Sequence, residues 1–241
     1  MFAAGDRVLL AGNGREFFVR AGDGVLSTDL GMIDLAVLDG LAEGAGVETH
    51  LGKRLTARRP RPTDFFAHAR RSGAPMHPKE IGSVIANTGM NRRDRVMDAG
   101  TGSGIAAIYF GSIAASVETR ERRPEFAALA EKNVRDAGLE NVTVVAGEML
   151  EAGGTFDVVH LDMECRDEHV EHAHGLLVPG GYLACYTPFI EQFQVVHDTA
   201  SRLFGEVRAI ELIEREMTRS ARGTRPSTRV CHTGYLTFAR R

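Results

Sequence analysis

Hydrophobic and polar positions follow different patterns in the two parts of the chain. In the first part, short apolar runs are separated by glycines, and Asn13-Gly14 lies between the runs at 7–12 and 16–20. An Asn-Gly pair between two such runs is a strong signal for a β-hairpin. The pattern therefore predicts a small β domain over residues 1–65, with further short strands at 24–28, 47–50 and 53–57. The segment 30–41, interrupted by glycines, stays unassigned.

After the β domain, helical and strand patterns alternate along the chain. Helices are predicted at 63–71, 78–88, 104–110, 123–137, 167–176 and 190–203, and strands at 95–99, 114–118, 142–146, 157–161 and 181–186. This alternation is typical of a parallel sheet whose ligand lies at the carboxyl ends of the strands. Two final strands, at 206–213 and 230–239, are too close together for a helical crossover. We therefore predict, over residues 66–241, an α/β fold with a mostly parallel seven-stranded sheet and an antiparallel edge hairpin.

The composition indicates an ordinary soluble protein. With 241 residues, of which 43% are apolar and 25% charged, the chain can bury one full core and a smaller second one. No apolar run approaches the roughly 18 residues that a membrane span needs, and the N-terminus lacks a basic segment followed by an apolar one. We expect a cytoplasmic protein without membrane contact.

The cysteines give no sign of a metal site. Cys165, Cys185 and Cys231 lack C-x-x-C spacing and nearby paired histidines. Neither a zinc site nor a disulfide framework is therefore expected. A disulfide between subunits through Cys185 or Cys231 stays open if the source is a hyperthermophile, because intracellular disulfides occur there.

Charge is unevenly distributed, although the formal net charge is only −3. We name two segments the first and second basic stripes. The first has a single acid, Asp64, among Lys53, Arg54, Arg58, Arg59, Arg61, Arg70 and Arg71, and the second has Glu216 among Arg215, Arg219, Arg222, Arg225 and Arg229. Such stripes can neutralise phosphates, but a charge run is more often a solvated face. From charge alone both interpretations stay open.

The most informative motif is the segment 96–105, Val-Met-Asp-Ala-Gly-Thr-Gly-Ser-Gly-Ile. A strand pattern that ends in an acid is followed by a glycine-rich turn and then by a helix. The glycines occupy alternate positions, unlike the G-x-G-x-x-G spacing that holds a dinucleotide pyrophosphate. This form favours S-adenosylmethionine as the cofactor. The predicted cofactor-binding residues of the segment are Asp98, Gly100, Thr101, Gly102, Ser103 and Gly104.

A second carboxylate strengthens the case for a nucleoside cofactor. Glu118 closes the apolar run 113–117. It is therefore predicted to end the next strand, where ribose hydroxyls need an acceptor. Asp98 is predicted to face the cofactor and to accept from its methionine ammonium, directly or through water. The alternatives are a turn that serves packing alone and, for Asp98, a cap of a helix or turn.

Six segments, taken in order, resemble the tRNA (adenine-58-N1)-methyltransferase family of archaea and bacteria. They are 73–80, 98–104, Glu118, 147–148, 161–162, and Arg225-Pro226 followed by His232-Thr-Gly234. The last is the specific part, because the others occur in many methyltransferases. The resemblance covers essentially the whole chain. It implies a class I Rossmann-like methyltransferase fold with S-adenosylmethionine, a cytoplasmic homotetramer, and methylation of N1 of adenine 58 in the T-loop of tRNA, in archaeal members also of adenine 57.

The resemblance also implies roles for three further residues. Asp162, predicted to end the fourth strand, stands where the family has its catalytic aspartate. Glu148 follows the third strand and is expected to hydrogen-bond the adenine amine of the cofactor. His77 stands where the family usually has a tyrosine that stacks on the flipped target base, and an imidazole can also stack. The alternatives are a turn cap for Asp162 and a surface histidine without a role for His77.

The chemistry of N1 methylation is compatible with a single carboxylate. The in-plane lone pair of N1 attacks a sulfonium methyl without prior deprotonation, so the enzyme mainly positions and desolvates the reactants. The methylated ring is cationic, and a carboxylate near the exocyclic amine stabilises that charge and can take the excess proton. Asp162 is predicted to be this carboxylate.

Two other functions stay open at this point. One is a methyltransferase for a small molecule, such as a tetrapyrrole precursor, or for a protein carboxylate. The other is a non-catalytic RNA-binding module that holds the cofactor as a ligand. The segment 163–167 differs from the proline- and tryptophan-containing loop of the family, which affects the predicted substrate more than the predicted reaction. For tRNA, the two basic stripes are expected to line a groove built from more than one subunit.

Overall fold

The computed structural model describes residues 1–22, 24–228 and 232–241, which form two compact units. The first unit comprises Met1–Arg70 together with Lys132–Leu139, and the second comprises Arg71–Glu131 and Glu140–Arg241. Within the described residues, no helix is long and apolar enough to cross a membrane.

In the part of the chain that the structure describes, the first unit contains six strands and one complete α-helix. They are β1 (Arg7–Gly12), β2 (Arg15–Arg20), β3 (Val25–Thr28), β4 (Gly31–Asp34), β5 (Gly46–Glu48), β6 (Arg54–Arg58) and α1 (Pro62–His68). Four strands form an antiparallel sheet in the order β2-β1-β6-β5, and β3 pairs with β4. Asn13 and Gly14 connect β1 to β2 with φ values of 53° and 70°, as a two-residue hairpin turn requires. The predicted hairpin is confirmed, and β4 lies in the segment that stayed unassigned.

The second unit begins with the helix α2 (Pro78–Thr88) and continues as alternating strands and helices. They are β7 (Arg95–Ala99), α3 (Ile105–Gly111), β8 (Ser116–Glu121), α4 (Pro124–Asp136), β9 (Val142–Ala146), β10 (Phe156–Leu161), α5 (Asp167–Leu176), β11 (Leu177–Thr187), α6 (Ile190–Leu203), β12 (Glu206–Glu211), β13 (Met217–Ser220), β14 (Gly223–Pro226) and β15 (Tyr235–Arg240). From Lys132 onwards, α4 is counted with the first unit.

Seven strands form the main sheet in the order β12-β15-β11-β10-β7-β8-β9. The neighbours from β11 to β9 are parallel, whereas β15 runs antiparallel to both β11 and β12. The predicted mostly parallel seven-stranded sheet is confirmed. One detail differs: of the two final strands, β12 lies at an edge of the sheet, whereas β15 is inserted between β12 and β11. Residues 230 and 231, the predicted start of the last strand, lie outside the described residues.

The central strands are buried on both faces. Val96, Met97, Val159, Leu161 and Leu183 are each at most 1% exposed. Burying a side chain of this size contributes about 1.5–3 kcal/mol relative to leaving it in water. These contacts fix β7, β10 and β11 side by side, so their carboxyl ends meet at one edge of the sheet.

Strand β8 ends later than the sequence predicted. The apolar run stops at Val117, but the strand continues to Glu121. Val117, Thr119 and Glu121 are buried, whereas Glu118 and Arg120 are only half-buried. The predicted end at Glu118 is therefore wrong, because polar residues that find hydrogen-bond partners also occupy the buried face.

Candidate active site

The turn between β7 and α3 brings backbone unusually close to the neighbouring strand. Gly100, Gly102 and Gly104 all have positive φ, at 87°, 55° and 80°. A Cβ added to Gly100 would lie 1.9 Å from the carbonyl oxygen of Asp162, far inside van der Waals contact. Only glycine fits at position 100, so the turn leaves bare backbone at the carboxyl ends of β7 and β10.

Asp98, in strand β7 just before this turn, holds the turn through hydrogen bonds. Its carboxylate is 1% exposed and has His160 Nδ1 2.7 Å from Oδ1, and the Thr119 hydroxyl donates to Oδ2 over 2.5 Å. The Thr119 oxygen in turn lies 2.6 Å from the hydroxyl of Thr101, inside the turn. Each carboxylate oxygen of Asp98 therefore uses one lone pair in a hydrogen bond within the protein. The chain of hydrogen bonds through Thr119 to Thr101 holds the turn in place.

Two clefts meet at the carboxyl edge of the sheet. We name them the larger cleft, of about 430 Å³, and the smaller cleft, of about 260 Å³. The walls of the larger cleft include Glu121, Glu148 and Met163, and those of the smaller cleft include Asp98 and the segment 72–76. Gly100, Arg123 and Asp162 line both clefts. The predicted residues Thr101, Gly102 and Ser103 line the smaller cleft as well.

Glu121, rather than Glu118, is the carboxylate of β8 that reaches the larger cleft. Its Oε2 accepts from the backbone N–H of Gly102 at 2.9 Å, and its Oε1 accepts from Nε of Arg123 at 2.8 Å. Burial opposes ionisation of this group, but these hydrogen bonds outweigh it, so the pKa of Glu121 lies below its ordinary value. Glu118 instead pairs with Arg120 and is not among the residues that line either cleft.

Asp162 directly follows β10 and lies where the two clefts meet. Its backbone N–H donates to the carbonyl of Ala99 over 2.9 Å, which fixes the carboxylate beside Gly100. Burial, together with the nearby Asp98 and Glu80 carboxylates, raises the pKa of Asp162 to about 6 against the opposing effect of His160. A carboxylate with this pKa is ionised at neutral pH and is a more competent base than an ordinary aspartate.

A buried polar cluster, which the sequence did not reveal, lies beside Asp162. Glu80 is fully buried and pairs with Lys79 and with the hydroxyl of Thr233. Lys79 Nζ also donates to Leu212 O at 2.6 Å, and the Tyr186 hydroxyl donates to Thr233 O at 2.6 Å. Burial, with the nearby Glu80 and Asp162 carboxylates, raises the pKa of Tyr186 to about 12. The only sequence signal for this cluster was that the segments 73–80 and 232–234 belong to the resemblance described above.

The other predicted site residues lie further from the point where the clefts meet. Glu148 is exposed on the wall of the larger cleft, just before the short 3-10 turn Met149–Glu151. His77 is exposed at the start of α2, and it lines neither cleft, although the five residues before it line the smaller one. Three residues of the segment 163–167, which differs from the loop of the family, line the larger cleft, namely Met163, Glu164 and Arg166.

Cys185 is buried within its own chain. It is 0% exposed, and a hydrogen bond with Cys165, together with burial, raises its pKa. A disulfide from Cys185 to another subunit would therefore require this part of the core to open. Cys231 lies outside the described residues.

The strand order, the inserted antiparallel strand and the glycine-rich turn define the fold of S-adenosylmethionine-dependent methyltransferases. The chain is similar to a solved SAM-dependent O-methyltransferase from Thermotoga maritima, with a TM-score of 0.86 and 29% identity, over 100% of this chain and 94% of that one. The likeness extends through both units.

The chain belongs to the family described as tRNA methyltransferase complex GCD14 subunit, whose model matches residues 76–225. It is 30% identical to the tRNA (adenine(57)-N(1)/adenine(58)-N(1))-methyltransferase TrmI of Methanocaldococcus jannaschii, over 97% of this chain and 94% of the relative. It is 32% identical to the tRNA (adenine(58)-N(1))-methyltransferase TrmI of Thermus thermophilus, over 82% of this chain and 81% of the relative. The resemblance found in the sequence is thereby confirmed.

Proposed function

We propose that this protein transfers a methyl group from S-adenosylmethionine to N1 of adenine in the T-loop of tRNA, at position 58 and with position 57 as a second acceptor. The observation that carries the proposal is the position of Asp162, whose carboxylate lies between a cleft suited to a nucleoside and a second, polar cleft. The choice of tRNA as the substrate is inferred from similarity to the M. jannaschii and T. thermophilus relatives.

The larger cleft fits the nucleoside part of the cofactor. Ionised Glu121 is a suitable acceptor for ribose hydroxyls, and Glu148 is a suitable acceptor for the adenine amine. In the smaller cleft, Asp98 keeps lone pairs that can accept from the methionine ammonium, and the bare backbone at Gly100 leaves room for the chain between these ends. Thr101, Gly102, Ser103 and Gly104 complete the turn around it.

Asp162 is the proposed catalytic residue. When bound, S-adenosylmethionine supplies a methyl group on a positively charged sulfur. The lone pair of adenine N1 forms the new bond to carbon while the carbon–sulfur bond breaks, which leaves the ring cationic. Asp162 accepts a hydrogen bond from the exocyclic amine, stabilises this charge and takes one proton from the amine. Its raised pKa suits this task.

Glu121 gives a sharp test of cofactor binding. We expect Glu121→Gln to weaken binding of S-adenosylhomocysteine about 10- to 100-fold, because a hydrogen bond to a charged group contributes roughly 1.5–3 kcal/mol. Isothermal titration calorimetry measures this. Glu118→Gln is the matched control, since Glu118 is an acid of the same strand that lines neither cleft. If Glu118→Gln weakened binding more than Glu121→Gln, the ribose contact would belong to Glu118, and if neither substitution weakened binding, it would belong to neither residue.

The two basic stripes support an RNA substrate. All seven basic side chains of the first stripe are exposed, and so are Arg215, Arg219, Arg222 and Arg225 of the second. Arg229 lies outside the described residues. Because these cationic side chains are exposed, the phosphates of an RNA can reach them. We keep His77 as the proposed stacking residue, because the residues before it line the smaller cleft.

In each chain we propose residues 1–65 as the β domain and residues 66–241 as the catalytic domain. We also propose that the protein is a cytoplasmic homotetramer, in which the basic stripes of several subunits form one groove. Support comes from apolar side chains at the start of α6, where Phe189, Ile190 and Val195 are 63%, 43% and 38% exposed. Exposed apolar groups of this kind are often covered by another subunit.

Methyl transfer to tRNA tests the proposed function directly. Labelled S-adenosylmethionine is incubated with the protein and an unmodified tRNA transcript, and the nucleosides are then analysed. We expect 1-methyladenosine at both positions of a transcript that has adenine at 57 and 58, and only at position 57 when adenine 58 is replaced by guanine. Cofactor binding without incorporation into tRNA would overturn the proposal, and methylation of an isoaspartyl peptide or a tetrapyrrole precursor would replace it.

A further inference from the structure

A third cavity, of about 420 Å³, lies within the first unit. Its walls come from β1, β2, the residues after β6 and the end of α4, segments that are far apart in the sequence. Five cationic side chains line it, namely Arg7, Arg20, Arg59, Lys132 and Arg135, against the two carboxylates Asp6 and Asp136. We name it the basic cavity.

Asp136 holds three of these cations in place. Its side chain is 7% exposed, Arg7 donates to Oδ2 from both Nε and Nη2 at 2.8 Å, and Lys132 Nζ lies 3.0 Å from the same oxygen. Arg20 pairs with Oδ1. Burial opposes ionisation of Asp136, but its hydrogen bonds to Lys132, Arg7 and Arg20 outweigh this and keep its pKa below the ordinary value.

The ion pairs leave a surplus of positive charge. Asp136 neutralises one of its three cations, and Asp6 is 3.4 Å from Arg59, whose side chain is half exposed. The basic cavity is therefore net positive in a chain whose net charge is −3. A concave surface whose charge is mainly of one sign focuses the electrostatic potential, and the guanidinium fork matches the oxygens of a phosphate.

We propose that the basic cavity is a phosphate-binding site that takes a backbone phosphate of the RNA substrate, apart from the two clefts where methyl transfer occurs. The identity of this RNA rests on the proposed function. The ion pairs with Asp136 position the arginines before binding, so little side-chain freedom is lost when the phosphate enters. Free phosphate offers the same oxygens, and the two sources are separated by experiment.

Arg59→Gln and Lys132→Gln, singly and together, remove charge and leave Arg7 and Arg20 on Asp136. Lys132→Gln alone tests the basic cavity apart from the first basic stripe, to which Arg59 also belongs. The control is Arg15→Gln in the same unit, because Arg15 and its partner Asp29 are both exposed and do not line the cavity. Binding of an unmodified tRNA transcript is measured from about 0.05 to 0.2 M KCl. We expect the double variant to bind roughly 3- to 10-fold more weakly, with a salt slope smaller by about 1 for each lost phosphate contact.

A double variant with the affinity and salt slope of Arg15→Gln would overturn the proposal, provided that its thermal unfolding midpoint is unchanged. Titration of each protein with inorganic phosphate, followed by NMR, separates the sources. Phosphate binding that the double variant loses, with tRNA affinity intact, would assign the cavity to free phosphate and overturn its RNA role. If the wild-type protein binds no tRNA, the proposed function and the RNA role fail together, while loss of phosphate binding in the variant would still establish the anion site.

Discussion

Replacing Asp162 with asparagine is expected to reduce the rate of methyl transfer about 10²- to 10⁴-fold, the usual contribution of a positioned acid or base. Asparagine keeps the shape of the side chain but cannot take the proton or stabilise the cationic ring. The hydrogen bond to Ala99 holds the backbone of residue 162 in place. We therefore expect the affinity for the cofactor to change less than about threefold. In free energy this is under half of what one lost hydrogen bond to a charged group costs. Single-turnover rates on unmodified tRNA and calorimetric titration with S-adenosylhomocysteine measure the two quantities.

The pH profile supplies an independent check on Asp162. With a pKa of about 6, the ionised base is lost as the pH falls. The wild-type kcat/KM is therefore expected to fall about tenfold per pH unit below that value and to be level above it. The residual activity of Asp162→Asn should lack this limb. Glu164→Gln, on the wall of the same cleft, is the matched control and should keep it. An asparagine variant that retains both the rate and the acid limb would remove Asp162 from the chemistry.

Gly100→Ala is expected to disrupt the site more severely than any other single methyl addition in the turn. The new Cβ would lie 1.9 Å from the carbonyl oxygen and 2.6 Å from the carbonyl carbon of Asp162, so the backbone of one strand end must move. The positive φ adds about 1–2 kcal/mol of strain. Because strain and overpacking add, we expect the free energy of unfolding, measured in urea, to fall by roughly 2–5 kcal/mol. Binding of S-adenosylhomocysteine should fall below detection, because the displaced carbonyl enters both clefts.

Gly102→Ala is the control for this substitution. Gly102 also has positive φ, but its nearest atom to an added Cβ is the carbonyl oxygen of Gly100, at an ordinary 3.8 Å. It should therefore show only the conformational cost of about 1–2 kcal/mol. If Gly100→Ala were as stable as Gly102→Ala and bound the cofactor, the close approach of the two strand ends would not be required.

Local patterns predicted the elements of the second unit well, because their ends carry local signals. Helix α2 begins at Pro78 and ends before Gly89, whose φ of 66° terminates it. Proline at the start of a helix and glycine after its end are read directly from the sequence. The β13–β14 hairpin was missed for the opposite reason, since every residue in it is exposed and no apolar alternation marks it.

The candidate site was only partly predictable. The glycine-rich turn and Asp162 each follow a predicted strand, and the carboxyl ends of parallel strands meet at one edge of a sheet, so the sequence pattern was enough to bring them together. Glu121 was missed because its burial depends on Gly102 and Arg123, which no apolar pattern records. Lys79, Glu80 and Thr233 come together only when α2 packs near the segment before β15. The basic cavity likewise joins side chains from distant segments, whereas the basic stripes were visible because their residues are neighbours in sequence.

The position of β15 bears on how the molecule is assembled during synthesis. Strands β7 to β11 can pair as soon as they and their helices have emerged, but β12 then has no neighbour and β11 keeps one unpaired edge. Both wait for β15, which inserts between them and completes the sheet in one step. An open strand edge is a template for pairing with other chains. We therefore expect the nascent protein to be more prone to aggregation between the emergence of β11 and the arrival of β15 than after β15 has paired.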